Sequence, residues 1–245
     1  MTIQPIVGMD FGLWDLAVTS DGHRYHGMSY GSPDFEKDKK LRRSILNGQR
    51  RLQRKEHGSK KERNLLIKIE EINLYREKWL RLWMQEIARN VSNGRTTVFI
   101  EDMTTQEMID SFGKKANGKK DKKQRIAYLR AGPDILFSEL EKHVKVIRIE
   151  KYFPSTKKCN YCQIIDGVDY RCGSIPTKIR SYRCLKCNRL IDRDINAARN
   201  ILWKGCQETG QDFSIGFSMG PASWERDLKR IADDIENQHN RFTSS

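Results

Sequence analysis

The sequence lacks an apolar run of about 18 residues, the length that a helix needs to cross a bilayer, so no membrane span is expected. Its first residues also lack the charged and apolar regions of a secretory signal peptide. No internal repeat is apparent along the 245 residues. These absences favour a cytoplasmic protein, built as one large domain or as one domain with an insert.

Acidic residues are too few to balance the basic ones, which leaves a formal net charge of +14. The excess is concentrated in two stretches: residues 36–64 contain 12 Lys/Arg against 4 Asp/Glu, and residues 114–125 contain 7 against 1. Such concentration is typical of a surface that binds a polyanion, although a solvated helix or loop surface is the alternative. Neither stretch has a strong membrane-inserting face, so nucleic acid is favoured over an acidic membrane as the partner.

Six cysteines are present, and four of them form two CxxC pairs separated by 21 residues. Two such pairs bring four thiolates to one ion, which is the tetrahedral ligand set of structural zinc. A redox site needs only one CxxC pair, and buried free thiols are the other alternative. We predict that structural zinc is held by Cys159, Cys162, Cys184 and Cys187. Cys172 lies between the pairs and can compete as a ligand, but structural thiols are the favoured interpretation of Cys172 and Cys206.

Two short apolar runs end in acidic residues, which predicts buried strands that carry Asp10 and Glu101 at their ends. A third acid, Asp194, stands at the start of an Ala-rich helical segment. Carboxylates from separate elements are the hard oxygen ligands that paired Mg²⁺ ions use in phosphodiester hydrolysis. Spacing alone is a weak signal, because an acid at a strand end is more often a solvated edge residue or a turn former. Asp192 and Asp194 are two residues apart and cannot face the same way on a helix, so one of them is structural.

The remaining pattern predicts a β-hairpin over residues 16–26 and a basic helical hairpin over about 35–92, broken at Gly58 and Ser59. A polar basic loop over 111–125, a helix over 134–143 and a strand over 145–149 follow. The cysteine-rich segment spans 157–189, and a short helix spans 194–203. After Gly205 the composition predicts a flexible linker and a final amphipathic helix, with Trp224, Leu228, Ile231 and Ile235 on one stripe.

Together these blocks resemble the transposon-encoded TnpB nucleases, and they are similar to Fanzor and the type V CRISPR effectors. The resemblance covers about residues 5–204, and its last motif is the most specific. The blocks that carry it are GMDFG at 8–12, FIED at 99–102, FPSTKKC at 153–159 with the CxxC that follows, and DRDINAARNI at 192–201.

The resemblance implies an α/β fold of the RNase H-like (RuvC) type, a mixed sheet with flanking helices, a long basic helical hairpin insert and an inserted Cys₄ zinc ribbon. Residues 1–156 would form the nuclease core, 157–189 the ribbon, 190–204 the last motif and helix of the core, and 205–245 the linker and C-terminal helix. Asp10, Glu101 and Asp194 would be catalytic and would hold two Mg²⁺ or Mn²⁺ ions, with Asp192 structural. The implied activity is metal-dependent DNA cleavage by an endonuclease.

DNA is the expected partner, and RNA and a protein docked on the C-terminal helix are further candidates. The family's long N-terminal portion, which binds guide RNA and target DNA, has no counterpart before the first strand. Recognition of DNA structure by the chain alone, recognition through a partner, and RNA binding through the basic helix and tail all stay open. The alternatives to a TnpB-type nuclease are a non-catalytic DNA- or RNA-binding regulator and a resolvase of branched, Holliday junction-like DNA.

Basic side chains of the helical hairpin and of the 111–125 loop are the candidate phosphate contacts, and the loop is expected to close over the bound strand. Tyr161, inside the first CxxC pair, is a candidate for stacking on a base, with packing as the alternative. The candidate phosphate contacts are Arg42, Arg43, Arg50, Arg51, Arg54, Lys55, Lys114, Lys115, Lys119, Lys120, Lys122 and Lys123.

Overall fold

The computed structural model describes residues 5–12, 15–26, 33–104, 106–107, 132–164, 167–173 and 179–213. A five-stranded mixed sheet lies at the centre, in the order β3-β2-β1-β4-β5. The β1, β4 and β5 strands run parallel to one another, whereas β2 and β3 continue the sheet as an antiparallel hairpin. The strands are β1 Ile6–Phe11, β2 Asp15–Thr19, β3 Arg24–His26, β4 Thr97–Glu101 and β5 Lys145–Ile149.

Helices pack on both faces of this sheet, and a two-stranded antiparallel sheet of β6 and β7 carries part of the cysteine-rich segment. The helical hairpin and the 145–149 strand form as the sequence predicts, but the last helix ends at Thr209, well beyond the predicted end at 203. The remaining elements are α1 Pro33–Leu52, α2 Lys60–Ser92, α3 Pro133–Leu140, α4 Asn160–Ile164, β6 Ser181–Arg183, β7 Leu190–Asp192 and α5 Arg193–Thr209.

Side-chain alternation along β1 and β4 divides the apolar core into two layers. Val7, Met9, Val98 and Ile100 face α2 and α3, where they join Leu80, Met84 and Leu136 in one buried cluster. The alternate positions Ile6 and Phe99 face α5 and pack against Ile201, Leu202 and Cys206. Because Asp10 continues the series 6, 8, 10 and Glu101 continues 99, 101, both acids lie on the face that α5 covers.

Two glycines allow α5 to lie directly on the sheet. A Cβ atom on Gly8 would overlap the carbonyl oxygen of Ala198 and the backbone of Leu202. A Cβ atom on Gly205 would overlap the ring of Phe99. The sequence predicted a linker from Gly205 onward, but this glycine is buried inside the helix, and Gly210 is the residue that ends it with a left-handed C-cap.

The α1–α2 hairpin turns at Gly58, whose φ of 77° is accessible to glycine without strain. Ser59 caps α2 by accepting a hydrogen bond from the backbone N–H of Glu62. The two helices are joined by the buried carboxylate of Asp38, which pairs with Arg42 on α1 and with Arg76 on α2. Buried residues of α2 are concentrated between Leu80 and Val91, next to the sheet.

Among the residues that the structure describes, no helix has the length and apolar character needed to span a membrane. The predicted basic loop over 111–125 and the predicted C-terminal helix lie outside the described residues. The candidate phosphate contacts Lys114, Lys115, Lys119, Lys120, Lys122 and Lys123 lie outside them as well.

Candidate functional site

The three predicted acids come from three elements that meet at one end of the sheet. Asp10 and Glu101 stand near the ends of the parallel strands β1 and β4 and line the same cleft, together with Met103 and Ile201. Asp194 is in the first turn of α5, which crosses β1 at Gly8. Parallel strands bring their carboxyl ends to one edge, and this arrangement places Asp10 next to Glu101 in the sheet order.

Asp10 lies close enough to the other two acids for their charges to affect its pKa. Burial raises the pKa of Asp10 well above its ordinary value, and the negative charges of Asp194 and Glu101 raise it further. Burial also raises the pKa of Glu101, against a lowering by a hydrogen bond from Ser155, and raises the pKa of Asp194. A divalent cation would offset both the desolvation of these carboxylates and their mutual repulsion. This donor set therefore fits hard cations such as Mg²⁺ or Mn²⁺.

Two arginine side chains form ion pairs with Asp194. Arg180 is the residue before β6, and its guanidinium pairs with Oδ2 of Asp194. Nη1 of Arg24 on β3 lies 3.4 Å from the same oxygen. Arg24 also binds Oδ2 of Asp15 at 2.5 Å and pairs with Asp192. The sequence pattern did not reveal this network, because its members come from β2, β3, β7, α5 and the segment before β6, and no motif unites them.

The carboxylates do not form a closed ligand set. Within the described part of the chain, the cysteine quartet is the one group of three or more His, Cys, Asp or Glu side chains whose ligand atoms all lie within 4.8 Å of one another. Asp10, Glu101 and Asp194 are neighbours on one side of the sheet, and a cation would compete with Arg24 and Arg180 for Oδ2 of Asp194.

Asp192 has a structural role, as the sequence predicts for one member of its pair. Its Oδ1 accepts hydrogen bonds from the backbone N–H groups of Asp194 and Ile195 at 3.1 and 3.0 Å, which makes it the N-cap of α5. The cap fixes where α5 begins and therefore where Asp194 stands.

The asparagines of the last motif attach the cysteine-rich segment to α5. The side-chain amides of Asn196 and Asn200 donate hydrogen bonds to the carbonyl oxygens of Ser155 and Lys158, at 2.7 to 3.4 Å. The hydroxyl of Ser155 in turn donates to Oε1 of Glu101 at 2.5 Å. Asn196 and Asn200 thus also position Ser155, whose hydroxyl orients Glu101. The sequence pattern did not reveal this role.

The predicted zinc ligands come together. Sγ of Cys159 lies 3.7 Å from Sγ of Cys187, and Sγ of Cys162 lies 3.8 Å from Sγ of Cys184. A tetrahedral ion with Zn–S bonds of about 2.3 Å separates its sulfurs by about 3.8 Å. The four thiols therefore fit zinc in both chemistry and spacing.

Tyr161 is buried, which contradicts the idea that it stacks on a base. Its hydroxyl accepts a hydrogen bond from Arg199 at 3.2 Å, and the Arg189 guanidinium lies 5.4 Å from its ring centre. Its ring packs beside Cys159 and Ile191, so the packing alternative is correct.

Most of the candidate phosphate contacts on the hairpin are open to solvent. Arg42 is the exception, because its Nε binds Asp38 at 2.8 Å. The exposed residues are Arg43, Arg50, Arg51, Arg54 and Lys55, which lie on α1 or in the turn after it.

Residues 139–201, from the end of α3 into α5, match the family model described as Cas12f1-like, TNB domain. A protein of Streptomyces pristinaespiralis that bears the name of an RNA-guided DNA endonuclease is 26% identical over 208 residues. The aligned part covers 81% of this chain and 45% of the relative.

Similar folds occur among solved structures. The chain is similar to one in the cryo-EM structure of the CRISPR-Cas12f ternary complex, with a TM-score of 0.50 and 22% identity, over 82% of this chain and 39% of that one. A chain of the Cas12f1–sgRNA–target DNA complex gives a TM-score of 0.49 and 21% identity over the same shares. Identity this low shows a likeness of fold alone, and the chain spans less than half the length of the relatives that it matches.

Proposed function

Because the chain is a TnpB/Cas12f-like protein, we propose that it is a metal-dependent DNA endonuclease with an RNase H-like (RuvC-type) core and a zinc ribbon. The observation that carries this proposal is the convergence of the half-buried Asp10 and Glu101 with the buried Asp194 at one end of the sheet. We propose that residues 1–156 and 190–204 form the nuclease core and that residues 157–189 form the ribbon. We extend the core to Thr209, where α5 ends.

Asp10, Glu101 and Asp194 are the residues that would hold two Mg²⁺ or Mn²⁺ ions. When bound, such ions activate the attacking water and stabilise the leaving oxygen of the phosphodiester. Ser155 fixes the carboxylate of Glu101 through its hydrogen bond, and the Asp192 cap fixes the start of the helix that bears Asp194. Arg24 and Arg180 pair with Asp194 and offset its negative charge.

The ribbon is proposed to have a structural role. Four cysteine ligands leave no coordination position open on zinc, so a Cys₄ ion stabilises the fold without taking part in the cleavage. Cys159 and Cys162 lie just before and within α4, whereas Cys184 and Cys187 lie between β6 and β7. Zinc would therefore clamp the two halves of the cysteine-rich segment next to α5.

DNA is the proposed substrate and RNA a proposed partner. Five exposed basic residues on and after α1 would bind phosphates, and the basic stretch at 114–125 adds to the positive charge of the sequence. The relative from Streptomyces pristinaespiralis bears a name that includes RNA guidance, and a discrete RNA that co-purifies with this chain would extend that property to it.

The test is cleavage of single-stranded, duplex and branched DNA by the full chain, with Mg²⁺, with Mn²⁺ and without either ion. We expect metal-dependent cleavage that Asp10→Asn and Asp194→Ala reduce at least about 100-fold, since the ions contribute several kcal/mol to transition-state stabilisation. Binding of DNA should persist in both variants. Asp102→Asn is the matched control, because Asp102 adjoins Glu101 but is exposed, and it should cleave like the wild type.

A non-catalytic nucleic-acid-binding regulator is the second candidate function. The contacts of Asp194 with Arg24 and Arg180 favour it, because both guanidinium groups contact Oδ2 and would compete with a cation for that oxygen. This function predicts salt-sensitive binding and intact DNA under every metal condition. Cleavage confined to junctions would instead identify a resolvase. Equal cleavage by Asp194→Ala and the wild type would exclude Asp194 as the third ligand.

A further inference from the structure

A fifth thiol lies beside the cysteine quartet. Sγ of Cys172 is 3.9 Å from Sγ of Cys184, a separation close to the 3.7 and 3.8 Å found within the quartet. The set of four whose ligand atoms lie within 4.8 Å of one another does not include Cys172. The sulfur of Cys172 thus lies about as far from the sulfur of Cys184 as two sulfur ligands of one tetrahedral zinc ion lie from each other.

Backbone contacts place Cys172 there. The N–H of Cys172 donates to the carbonyl oxygen of Lys157 at 2.8 Å, and the N–H of Cys159 donates to the carbonyl oxygen of Tyr170 at 3.1 Å. A β-bridge between Lys158 and Arg171 completes this pairing. The segment that bears Cys172 is therefore held to the segment that bears Cys159, independently of the rotamer of either thiol.

The Cys172 thiol is less enclosed than the ligand that it would replace. Cys172 is half-buried and packs against the edge of the cluster that contains Cys159, Cys162 and Cys184, whereas Cys184 is fully buried. Cys172 therefore already borders the proposed zinc site.

We propose that Cys172 is an alternative zinc ligand that replaces Cys184, so that the ribbon has two coordination states. The inference rests on the proposed zinc site. In the exchange, one Zn–S bond forms to Cys172 as the bond to Cys184 breaks, and the proton of the Cys172 thiol passes to the released Cys184 thiolate. The charge on the site and the oxidation state of zinc are unchanged.

The exchange would alter more than the ion. Cys184 directly follows β6, and Arg180 directly precedes it and holds Asp194. With Cys184 as ligand, the ion anchors the end of β6. With Cys172 as ligand, β6 loses that anchor. The guanidinium of Arg180, which pairs with Asp194, is then held less firmly. The choice of thiol would therefore influence how readily Asp194 becomes available.

The experiment measures zinc content and the absorption spectrum of the Co²⁺-substituted full chain in a set of cysteine variants. Cys184→Ser should keep about one zinc per chain and the Co²⁺ spectrum of four thiolates, because Cys172 completes the tetrahedron. Cys159→Ser should lose zinc, since Cys172 lies near Cys184 and not in the quartet around the other ligands. The double variant Cys172→Ser/Cys184→Ser should lose zinc as well. Cys206→Ser is the control outside the ribbon.

Alkylation of free thiols gives a second measurement for variants that bind zinc weakly. In the wild type, Cys172 should react faster than the four ligands, and in zinc-loaded Cys184→Ser it should become protected. The proposal is wrong if Cys184→Ser loses zinc as fully as Cys159→Ser does, or shows a three-thiolate spectrum. It is also wrong if the double variant retains as much zinc as Cys184→Ser. A wild type without zinc would instead refute the zinc site itself.

Discussion

The cysteine quartet and the carboxylate site are both candidate metal centres, and they differ in how closely their ligand atoms approach one another. The four thiols already lie within ligand distance, whereas the three acids do not form a closed set. Burial raises the pKa of Cys162 to about 12 and also raises the pKa of Cys159, whereas at Cys184 burial is outweighed by backbone hydrogen bonds from Cys187 and Lys186, which lower its pKa to about 7. Carboxylates repel one another, and Asp194 pairs with arginines. The thiols thus form one compact group, whereas Asp194 is held toward basic side chains.

The largest difference between the two sites should follow from removing each ion in turn. A zinc-selective chelator should unfold the 159–191 segment, because structural zinc contributes on the order of 10 kcal/mol or more to the folding of small modules. Removal of Mg²⁺ and Mn²⁺ alone should leave the fold intact. Hydrogen exchange of the backbone amides in β6 and β7 measures both effects. Unchanged protection after zinc is withdrawn would show that the ribbon is held by packing alone.

The next largest effect should come from Gly8→Ala, which acts on the carboxylate site and spares the thiols. The added Cβ atom overlaps the backbone of α5, so the helix that bears Asp194 must shift away from β1. We expect a loss of about 1–3 kcal/mol in the free energy of unfolding, together with weaker Mn²⁺ binding and unchanged zinc content. Gly58→Ala is the control, since its open surroundings leave only backbone strain. Equal Mn²⁺ binding by Gly8→Ala and the wild type would contradict the dependence on α5.

Arg180→Ala tests whether arginine and metal compete for Asp194. Without the guanidinium, the remaining ion pair of Asp194 within the described residues is the more distant contact with Arg24, so the site should attract a divalent cation more strongly. We expect Mn²⁺ to bind about tenfold more tightly at pH 8 by calorimetry, equivalent to about 1.4 kcal/mol. Arg183→Ala is the matched control, because Arg183 is exposed on β6 and contacts only the Asn188 carbonyl among its described partners. Weaker Mn²⁺ binding in Arg180→Ala would mean that the arginine supports the site.

The smallest effect concerns stability. The folded state raises the pKa of Asp10 above the unfolded value of about 3.9, so its ionised form destabilises the ion-free protein at neutral pH. Asp10→Asn should therefore melt at a higher temperature in buffer without Mg²⁺ or Mn²⁺, by about 2–4 °C for each kcal/mol gained. The advantage should shrink as the pH falls toward the unfolded pKa. Asp102→Asn should show no such gain, and an Asp10→Asn variant that is less stable than wild type would refute the repulsion.

Local patterns in the sequence were enough to predict the helical hairpin, the strand at 145–149 and the group of four thiols. The CxxC spacing and the strand at 145–149 depend on near neighbours in the chain, and both appear in the structure. The end of α5 was missed because Gly205 has the composition of a linker and is kept in the helix by its contact with Phe99. The pairing of Arg24 and Arg180 with Asp194 was missed for the same reason: it joins residues up to 170 positions apart, and no periodicity encodes such a contact.

The long second helix also has a mechanical consequence. At about 1.5 Å per residue, the 33 residues of α2 extend roughly 50 Å, and five of its six buried residues lie between Leu80 and Val91. The 20 residues before Leu80 and the end of α1 therefore project from this packed, fixed end, with exposed Arg50, Arg51 and Arg54 near the free tip. Over roughly 30 Å of free length, a pivot of about 5° at the fixed end displaces the tip by about 2.6 Å, comparable to the length of a hydrogen bond. Small changes in core packing around Met84 would therefore displace the tip of the α1–α2 hairpin by a larger distance.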